Sequence, residues 1–278
     1  MALSVNTNTT SLTAQMNLAK SQTRMNTSLE RLSTGLKINR ASRASDDPAG
    51  LVTSELQKSQ ISGLTKSIEN IERGTTMVQT AESGLAEIGS LLLKLRDVAV
   101  NSANTATQDT ASLAANQAEV NALALSITRI SDTTKFGTKA LLDGTVTAAQ
   151  FQIGAFSGET ASLTITDKDA TALAVDALVV TTAAGSSAAI TSIDAAINTV
   201  TTARGALGAF QSGTLTSTKN NNASQLDNLK NAESILRDTD YQKEISTYTS
   251  EQIRQQAAST VLGMANQSSQ SILQLLRG

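Results

Sequence analysis

The chain has 278 residues, with 22 Lys and Arg against 24 Asp and Glu, and its net charge is −2. It contains no His, no Cys and no Trp, one Pro, and only 2% aromatic residues. The absence of His and Cys excludes Ser-His-Asp and Cys-His nucleophilic sites, the usual zinc sites and any disulfide, and the near-neutral charge argues against a nucleic-acid-binding protein. This composition is more typical of a building unit than of a catalyst.

The first eight residues contain no basic segment followed by an apolar one, so we predict no cleavable secretory signal. No stretch approaches the ~18 consecutive apolar residues of a membrane span. We therefore expect no membrane partner. The protein either stays in the cytoplasm or leaves the cell by a route that does not read a classical signal.

An amphipathic helix is predicted near the start of the chain, with Gly35 interrupting its end. Its apolar residues recur at the three- and four-residue spacing of a helical stripe, namely Leu18, Met25, Leu29, Leu32 and Leu36. Asp47 and Pro48 then predict the start of a second helix, with Asp47 as N-cap and the proline at the first helical position. The three-four alternation continues to about residue 100, which predicts a helix roughly 80 Å long at 1.5 Å per residue.

A polar turn is expected at residues 101–109, followed by a helix with apolar residues from Leu113 to Ile130 that folds back antiparallel. Two short β-type runs at 150–153 and 162–165, separated by a Ser-Gly pair, predict a β-hairpin. Residues 167–190 are a mixed segment. Because Lys168 is the single basic residue between Asp143 and Asp194, we expect this region to be acidic and water-facing.

Helical periodicity returns at Ile193 and continues through Leu236. The final segment carries another apolar stripe, which includes Ile253, Val261, Met264, Ile272 and Leu275. The fold class is therefore mainly α: a long antiparallel helical bundle or coiled-coil rod, with the N- and C-terminal helices paired and a small β-hairpin region in the middle of the chain.

The terminal segments, about 1–40 and 240–278, carry Ala, Ser, Gln and Asn at many inward positions. At ~25 cal/mol per Å² of buried apolar surface, one such interface hardly offsets the ~1–2 kcal/mol per residue that backbone ordering costs. We expect these ends to order when many copies pack together. The N-terminal arm is basic, and its cations face solvent or act between subunits; they are Lys20, Arg24, Arg31, Lys37, Arg40 and Arg43, against Glu30 alone.

Several motifs in the chain resemble those of bacterial flagellins, in the same order. They lie at residues 28–39, 46–51, 141–144, 204–209, 232–241 and 265–273. The resemblance covers about 1–166 and 193–278. The chain departs from the family pattern in an additional Arg-Ala-Ser triplet at 40–45, in the sequence at 136–137 and 210–212, and in outer domains reduced to about 167–192.

The resemblance implies a structural subunit that polymerises into the helical filament used for swimming, outside the cell. It implies export through the flagellar type III apparatus and, as partners, other copies of the chain, the filament cap, junction proteins and an export chaperone. It places 1–45 and 240–278 in the inner tube, 46–140 and 193–239 in a helical shell, and 141–192 in a β-hairpin and short outer segment. Supercoil switching would then involve residues 140–166 and 208–225.

Two sets of candidate functional residues follow. The filament-packing set combines the two apolar stripes: Leu29, Leu32, Leu36, Ile253, Val261, Met264, Ile272 and Leu275. The resemblance also implies a patch for the vertebrate innate immune receptor that senses flagellin, formed by Leu93, Lys94, Val98 and Glu119. Leu93 and Lys94 replace a common Gln and Arg, and Lys lacks the planar donor fork of Arg, so weaker recognition is expected. Interface or solvent charges are the simpler roles for Lys94, Arg96 and Glu119.

The alternatives are a hook–filament junction protein, which shares the terminal helices, and a secreted helical-bundle adhesin or effector. An enzyme with a Ser-Lys or paired-carboxylate site is disfavoured because no spacing singles out such a site. We predict no catalytic residue, no cofactor and no metal.

Overall fold

A computed structural model describes residues 8–39 and 47–275, with side chains described as far as Gln267 in the last helix. The helices are α1 (Thr9–Thr34), α2 (Pro48–Ala103), α3 (Thr110–Thr133), α4 (Ala183–Ala209), α5 (Ser217–Arg237) and α6 (Tyr241–Leu275), and a π-helical segment, Phe210–Thr216, joins α4 to α5. The prediction of a mainly α fold is confirmed.

Local capping determines where most of these helices begin and end. The Asn8 side chain accepts a hydrogen bond from the Ser11 N–H at 3.0 Å, so α1 begins nine residues before the predicted Leu18. It ends at Gly35, whose φ of 72° closes the helix with an N–H bond to the Arg31 carbonyl. Asp47 caps α2 as predicted, through a 3.0 Å bond from the Ala49 N–H.

The β structure consists of two small antiparallel pairs. β1 (Lys135–Phe136) pairs with β2 (Lys139–Ala140), and β3 (Ala149–Gln152) pairs with β4 (Thr160–Leu163). In the second pair Ala149 lies opposite Leu163 and Gln152 opposite Thr160. The predicted hairpin is confirmed, with strands that begin one or two residues earlier than expected.

The region after the hairpin differs from the sequence-based expectation. Lys168 is only 3% exposed, and the apolar side chains that follow it are buried rather than water-facing; they are Ala170, Leu173, Val175, Leu178 and Val180. Helix α4 also begins ten residues before Ile193, because Thr182 caps it by accepting the Gly185 N–H at 3.1 Å. The prediction of a water-facing segment was wrong because it relied on composition. A segment with few charges and many small residues can equally pack on a core.

The chain divides into two compact units. The central unit is Gln60–Asp227; the terminal unit combines the residues up to Ser59 with those from Asn228 onward. The core of the central unit is continuous across α2, α3, α4 and the β region, and its fully buried side chains include Ile71, Leu85, Ile88, Leu92, Leu95, Ile127, Leu141, Leu142 and Ile193. In the terminal unit, the only buried apolar residues among those described are Ala14 and Ile38.

Within the described ranges, no helix combines the length and the apolar character that a bilayer crossing requires.

Candidate functional site

The terminal unit is built on the pairing of α1 with α6. The Ser11 hydroxyl contacts Asn266 Oδ1 at 2.8 Å, near the start of α1 and far along α6. Toward the other end, the Ser21 hydroxyl donates to Glu251 Oε2 at 3.0 Å. Contacts that run forward along one helix and backward along the other make the pair antiparallel, so the predicted pairing of the terminal helices is present.

Small and polar residues form the contact face of α1. Its buried residues are Ser11, Ala14, Ser21 and Ser28, and among the side chains described on α6 the buried one is the carboxylate of Glu251. Such residues bring two helices close together but remove little apolar surface from water. The pairing within one chain therefore contributes little hydrophobic stabilisation.

A short backbone joint holds the end of α1 against the start of α6. The Lys37 N–H donates to the Arg237 carbonyl at 2.7 Å, and the Thr239 N–H donates to the Gly35 carbonyl at 2.9 Å. The Arg237 side chain, 12% exposed, also pairs with Glu55 of α2 at 2.8 Å. These hydrogen bonds hold the two helices together at one end of the pair, and the ion pair connects this joint to α2.

The large apolar side chains of these helices face solvent. Exposed fractions exceed one half for Leu12, Met16 and Leu29 on α1 and for Ile245, Ile253, Val261 and Met264 on α6. We call these seven residues the apolar faces of α1 and α6. Val52, Leu56 and Ile235, in the same unit, are also exposed. Contiguous exposed apolar patches are typical of protein interaction sites.

The predicted packing residues belong partly to this surface. Leu29, Ile253, Val261 and Met264 are exposed, and Leu32 and Leu36 are half-buried. The side chains of Ile272 and Leu275 lie outside those described. Sequence reasoning missed Leu12, Met16 and Ile245; the four-residue spacing of Leu12 and Met16 beside the Ser11–Ala14 stripe was the signal that could have identified them.

The receptor-patch residues lie in the central unit. Leu93 and Lys94 are exposed on α2, Val98 is half-buried, and Glu119 is exposed on α3. The neighbouring Arg96 forms a half-exposed ion pair with Asp194 of α4 at 2.7 Å, so its guanidinium has a partner within the same unit.

The ionisable groups in the part of the chain that the structure describes offer no catalytic arrangement. Burial lowers the pKa of Lys168, but its ammonium donates to the carbonyls of Thr166 and Asp167 and to the Thr166 hydroxyl. Its three donors are therefore used in bracing the local turn. Among residues 8–39 and 47–275 no cluster of carboxylates could hold a metal ion.

Comparison with known proteins decides the family. The model of the bacterial flagellin N-terminal helical region matches residues 5–147, and that of the C-terminal helical region matches 190–276. The chain belongs to the bacterial flagellin family. It is 40% identical to the flagellin of Halalkalibacterium halodurans over 276 residues, which cover 98% of this chain and 99% of the relative.

Two further comparisons support the same assignment. The chain is 34% identical to the flagellar filament 33 kDa core protein of Treponema phagedenis, with 98% of this chain and 99% of that protein covered. The crystal structure of Bacillus cereus flagellin aligns with a TM-score of 0.50 and 25% identity, over 55% of this chain and 88% of that one. Flagellin is a structural protein and not an enzyme. The chain is a subunit that polymerises with itself into the helical filament outside the cell, and neither the junction-protein nor the adhesin alternative is favoured.

Proposed function

We propose that the apolar faces of α1 and α6 are the surface through which copies of this flagellin pack in the filament. The observation that carries this proposal is the contrast within one helix pair. The two helices meet through serine, alanine and a carboxylate, while their isoleucine, leucine, valine and methionine side chains point to solvent.

The energetics favour burial between copies. Moving a fully exposed Ile or Met side chain out of water contributes about 1.5–3 kcal/mol. The seven residues are 51–62% exposed, so each contributes roughly half of that when assembly covers it. Within a single chain that contribution is absent from the terminal unit. The apolar faces of α1 and α6 therefore stabilise the terminal helices mainly after assembly, when neighbouring copies cover them.

This arrangement fits the layer assignment that the family resemblance implies. Residues 1–45 and 240–278 form the inner tube, 46–140 and 193–239 form the surrounding helical shell, and 141–192 form the outer β-hairpin segment. An export chaperone that holds the exposed terminal apolar residues would keep the chain monomeric before type III export. The filament cap and junction proteins contact the same terminal layers.

Substitution of Ile253 tests the packing surface, because its side chain is 62% exposed and makes no core contact in the free chain. We expect I253S to raise the critical concentration for polymerisation by about tenfold, since covering the exposed 62% of this side chain contributes about 1–2 kcal/mol at each copy. Sedimentation and negative-stain microscopy measure filament formation, and circular dichroism checks that the free chain is unchanged.

The neighbouring exposed Gln252 supplies the matched control. Q252S removes a polar side chain from the same turn of α6, and its critical concentration should match that of the wild type. Filament formation by I253S at the wild-type concentration would contradict the proposal.

We also propose that the exposed α2 surface at Leu93 and Lys94 binds the innate immune receptor, with lower potency than a strong agonist flagellin. Exposure of both residues supports an accessible patch, and the single ammonium of Lys94 offers no bidentate geometry. A reporter-cell assay with purified monomer tests this, and potency equal to that of a strong agonist would overturn it.

A further inference from the structure

Charged residues on α1 and α6 repeat with the same spacing. Arg24 and Arg31 lie seven residues apart on α1, and Glu244 and Glu251 lie seven residues apart on α6. Arg24 Nη1 is 3.7 Å from Glu251 Oε1, and Arg31 Nη1 is 4.0 Å from Glu244 Oε2. The two ion pairs are therefore successive rungs across an antiparallel helix pair, and we call them the charge ladder.

Both carboxylates of the ladder lie against the helix interface. The Glu251 side chain is 6% exposed and that of Glu244 is 12% exposed. Glu251 also accepts the Ser21 hydroxyl at 3.0 Å and is paired with Arg254 of its own helix at 3.0 Å. A carboxylate buried to this degree is costly unless it is matched, so the position of its partners matters for the whole pair.

The apolar packing of this interface discriminates poorly between alignments. Ala14, Ser21 and Ser28 occupy the buried face of α1 at seven-residue intervals. If α6 slid by seven residues, each α6 position that faces one of these small α1 side chains would face the next one instead. Because this packing repeats every seven residues, it does not distinguish one register from the next. Polar contacts must then specify the register, as single polar residues do in coiled coils.

We propose that the charge ladder, together with the backbone joint, determines the register in which α1 pairs with α6. In the observed register both carboxylates meet an arginine. Sliding so that Glu251 meets Arg31 places Arg24 opposite Ala258 and moves Glu244 beyond the end of α1. Sliding the other way places Glu251 opposite Asn17. Either slide keeps one rung. The first strands Glu244, and the second leaves Glu251 paired only with Arg254 of its own helix.

The backbone joint at residues 35–37 and 237–239 favours the same register, because a seven-residue slide of about 10 Å would break both of its hydrogen bonds. The ladder extends that alignment along the interface, and so sets which apolar side chains lie together on the outer faces. This inference rests on the proposed function, because a register error would misalign the apolar faces of α1 and α6 that pack between copies.

Moving the ladder tests whether the register follows it. E244A/A258E removes one carboxylate and places another seven residues beyond Glu251, so that two complete rungs form only in the shifted register. Because the chain has no native cysteine, introduced pairs report the register unambiguously. S11C/N266C joins residues in contact in the observed register, and L18C/N266C joins residues that meet after the slide.

Oxidative cross-linking of the full chain gives the readout, before and after polymerisation. In the wild-type background we expect S11C/N266C to cross-link and L18C/N266C to remain separate. In E244A/A258E we expect L18C/N266C cross-linking to rise by about tenfold, as expected for loss of one matched half-buried carboxylate and gain of another. The control is A258Q, which adds a side chain of the same size without the charge, keeps both native rungs and should retain the native cross-link.

Retention of S11C/N266C as the sole cross-linked pair in E244A/A258E would overturn the proposal. If that variant does not fold, reversal of one rung gives a second test. E251R should lose the native cross-link, and R24E/E251R should restore it; no recovery would overturn the ladder. The cross-links report the register whether or not filaments form. If the cysteine pairs cross-link in the otherwise unchanged chain but that chain does not polymerise, the result counts against the proposed function and not against the ladder.

Discussion

Asp143 lies in the turn after β2, where its carboxylate organises the local backbone. It accepts hydrogen bonds from the Thr145 hydroxyl at 2.6 Å and the Thr145 N–H at 3.0 Å, and these bonds lower the pKa of the carboxyl below its ordinary value. Since the charged form is favoured in the folded state, its stabilisation is complete above the unfolded pKa of about 3.9 and is lost as the pH falls through the lower folded pKa.

The direction of this pH dependence can be tested by replacing Asp143 with its neutral isostere. Asn at position 143 can still accept the hydrogen bonds but carries no charge, so D143N should be less stable than the wild type at pH 6. The difference should shrink as the pH approaches 3. Urea unfolding at several pH values measures it, and a gap between the two proteins that widens toward acid would disprove the assigned role.

At the scale of elements, two of the glycines in α2 lie in different surroundings. A Cβ added to Gly84 would lie 2.7 Å from Thr134 Oγ1 and 2.9 Å from Leu142 Cδ1, whereas one added to Gly89 would have no neighbour within 4 Å. Gly84 therefore permits the close approach of the region after α3, and Gly89 only weakens the helix.

We expect opposite effects from the same substitution at these positions. G89A should stabilise the chain by about 0.5–1 kcal/mol, because alanine has the higher helix propensity. G84A should destabilise it by about 1–3 kcal/mol through overpacking. Thermal or urea unfolding measures both, and equal shifts for the two variants would contradict the close approach at Gly84.

At the scale of the whole molecule, the two compact units differ in what holds them. The central unit has a continuous apolar core, and the described part of the terminal unit buries only Ala14 and Ile38 among its apolar residues. Regions with few buried apolar contacts open at low free-energy cost. The free chain should therefore be cut first in its terminal segments.

Limited proteolysis with mass spectrometry can check this difference. We expect the free chain to be trimmed to a resistant fragment close to Gln60–Asp227, and assembled filaments to protect the terminal segments. Burial of the apolar faces between copies is the physical reason for that protection. Equal resistance of both units in the free chain would count against assembly-coupled ordering.

Much of the architecture was predictable because it depends on local chemistry. The Asp47-Pro48 start of α2, the Gly35 end of α1 and the hairpin all follow from residue types that favour caps and turns. The π segment was not predicted, because its residues carry no pattern that separates π from α winding. Phe210, at its start, packs on Phe151 of β3 with ring centroids 6.0 Å apart, a contact between residues remote in sequence.

The packing surface was predicted less completely. Periodicity identified Leu29, Ile253, Val261 and Met264 as apolar positions on helical stripes, but a stripe does not state which neighbour covers it. The structure placed serines and Glu251 between α1 and α6 instead, so the predicted side chains face solvent. Similarly, the basic residues Arg24 and Arg31 were expected at solvent or between subunits, whereas they pair with carboxylates of the same chain.

The amino-acid sequence by itself determined the helical class, the hairpin, several helix boundaries and the family, because each depends on local propensity or on motifs read in order. Only the tertiary structure decided that residues 167–182 pack on a core, that Lys168 is buried, and that the apolar faces of α1 and α6 are left uncovered. Those outcomes depend on which distant surfaces meet, and composition does not distinguish a small residue in water from one against a partner helix.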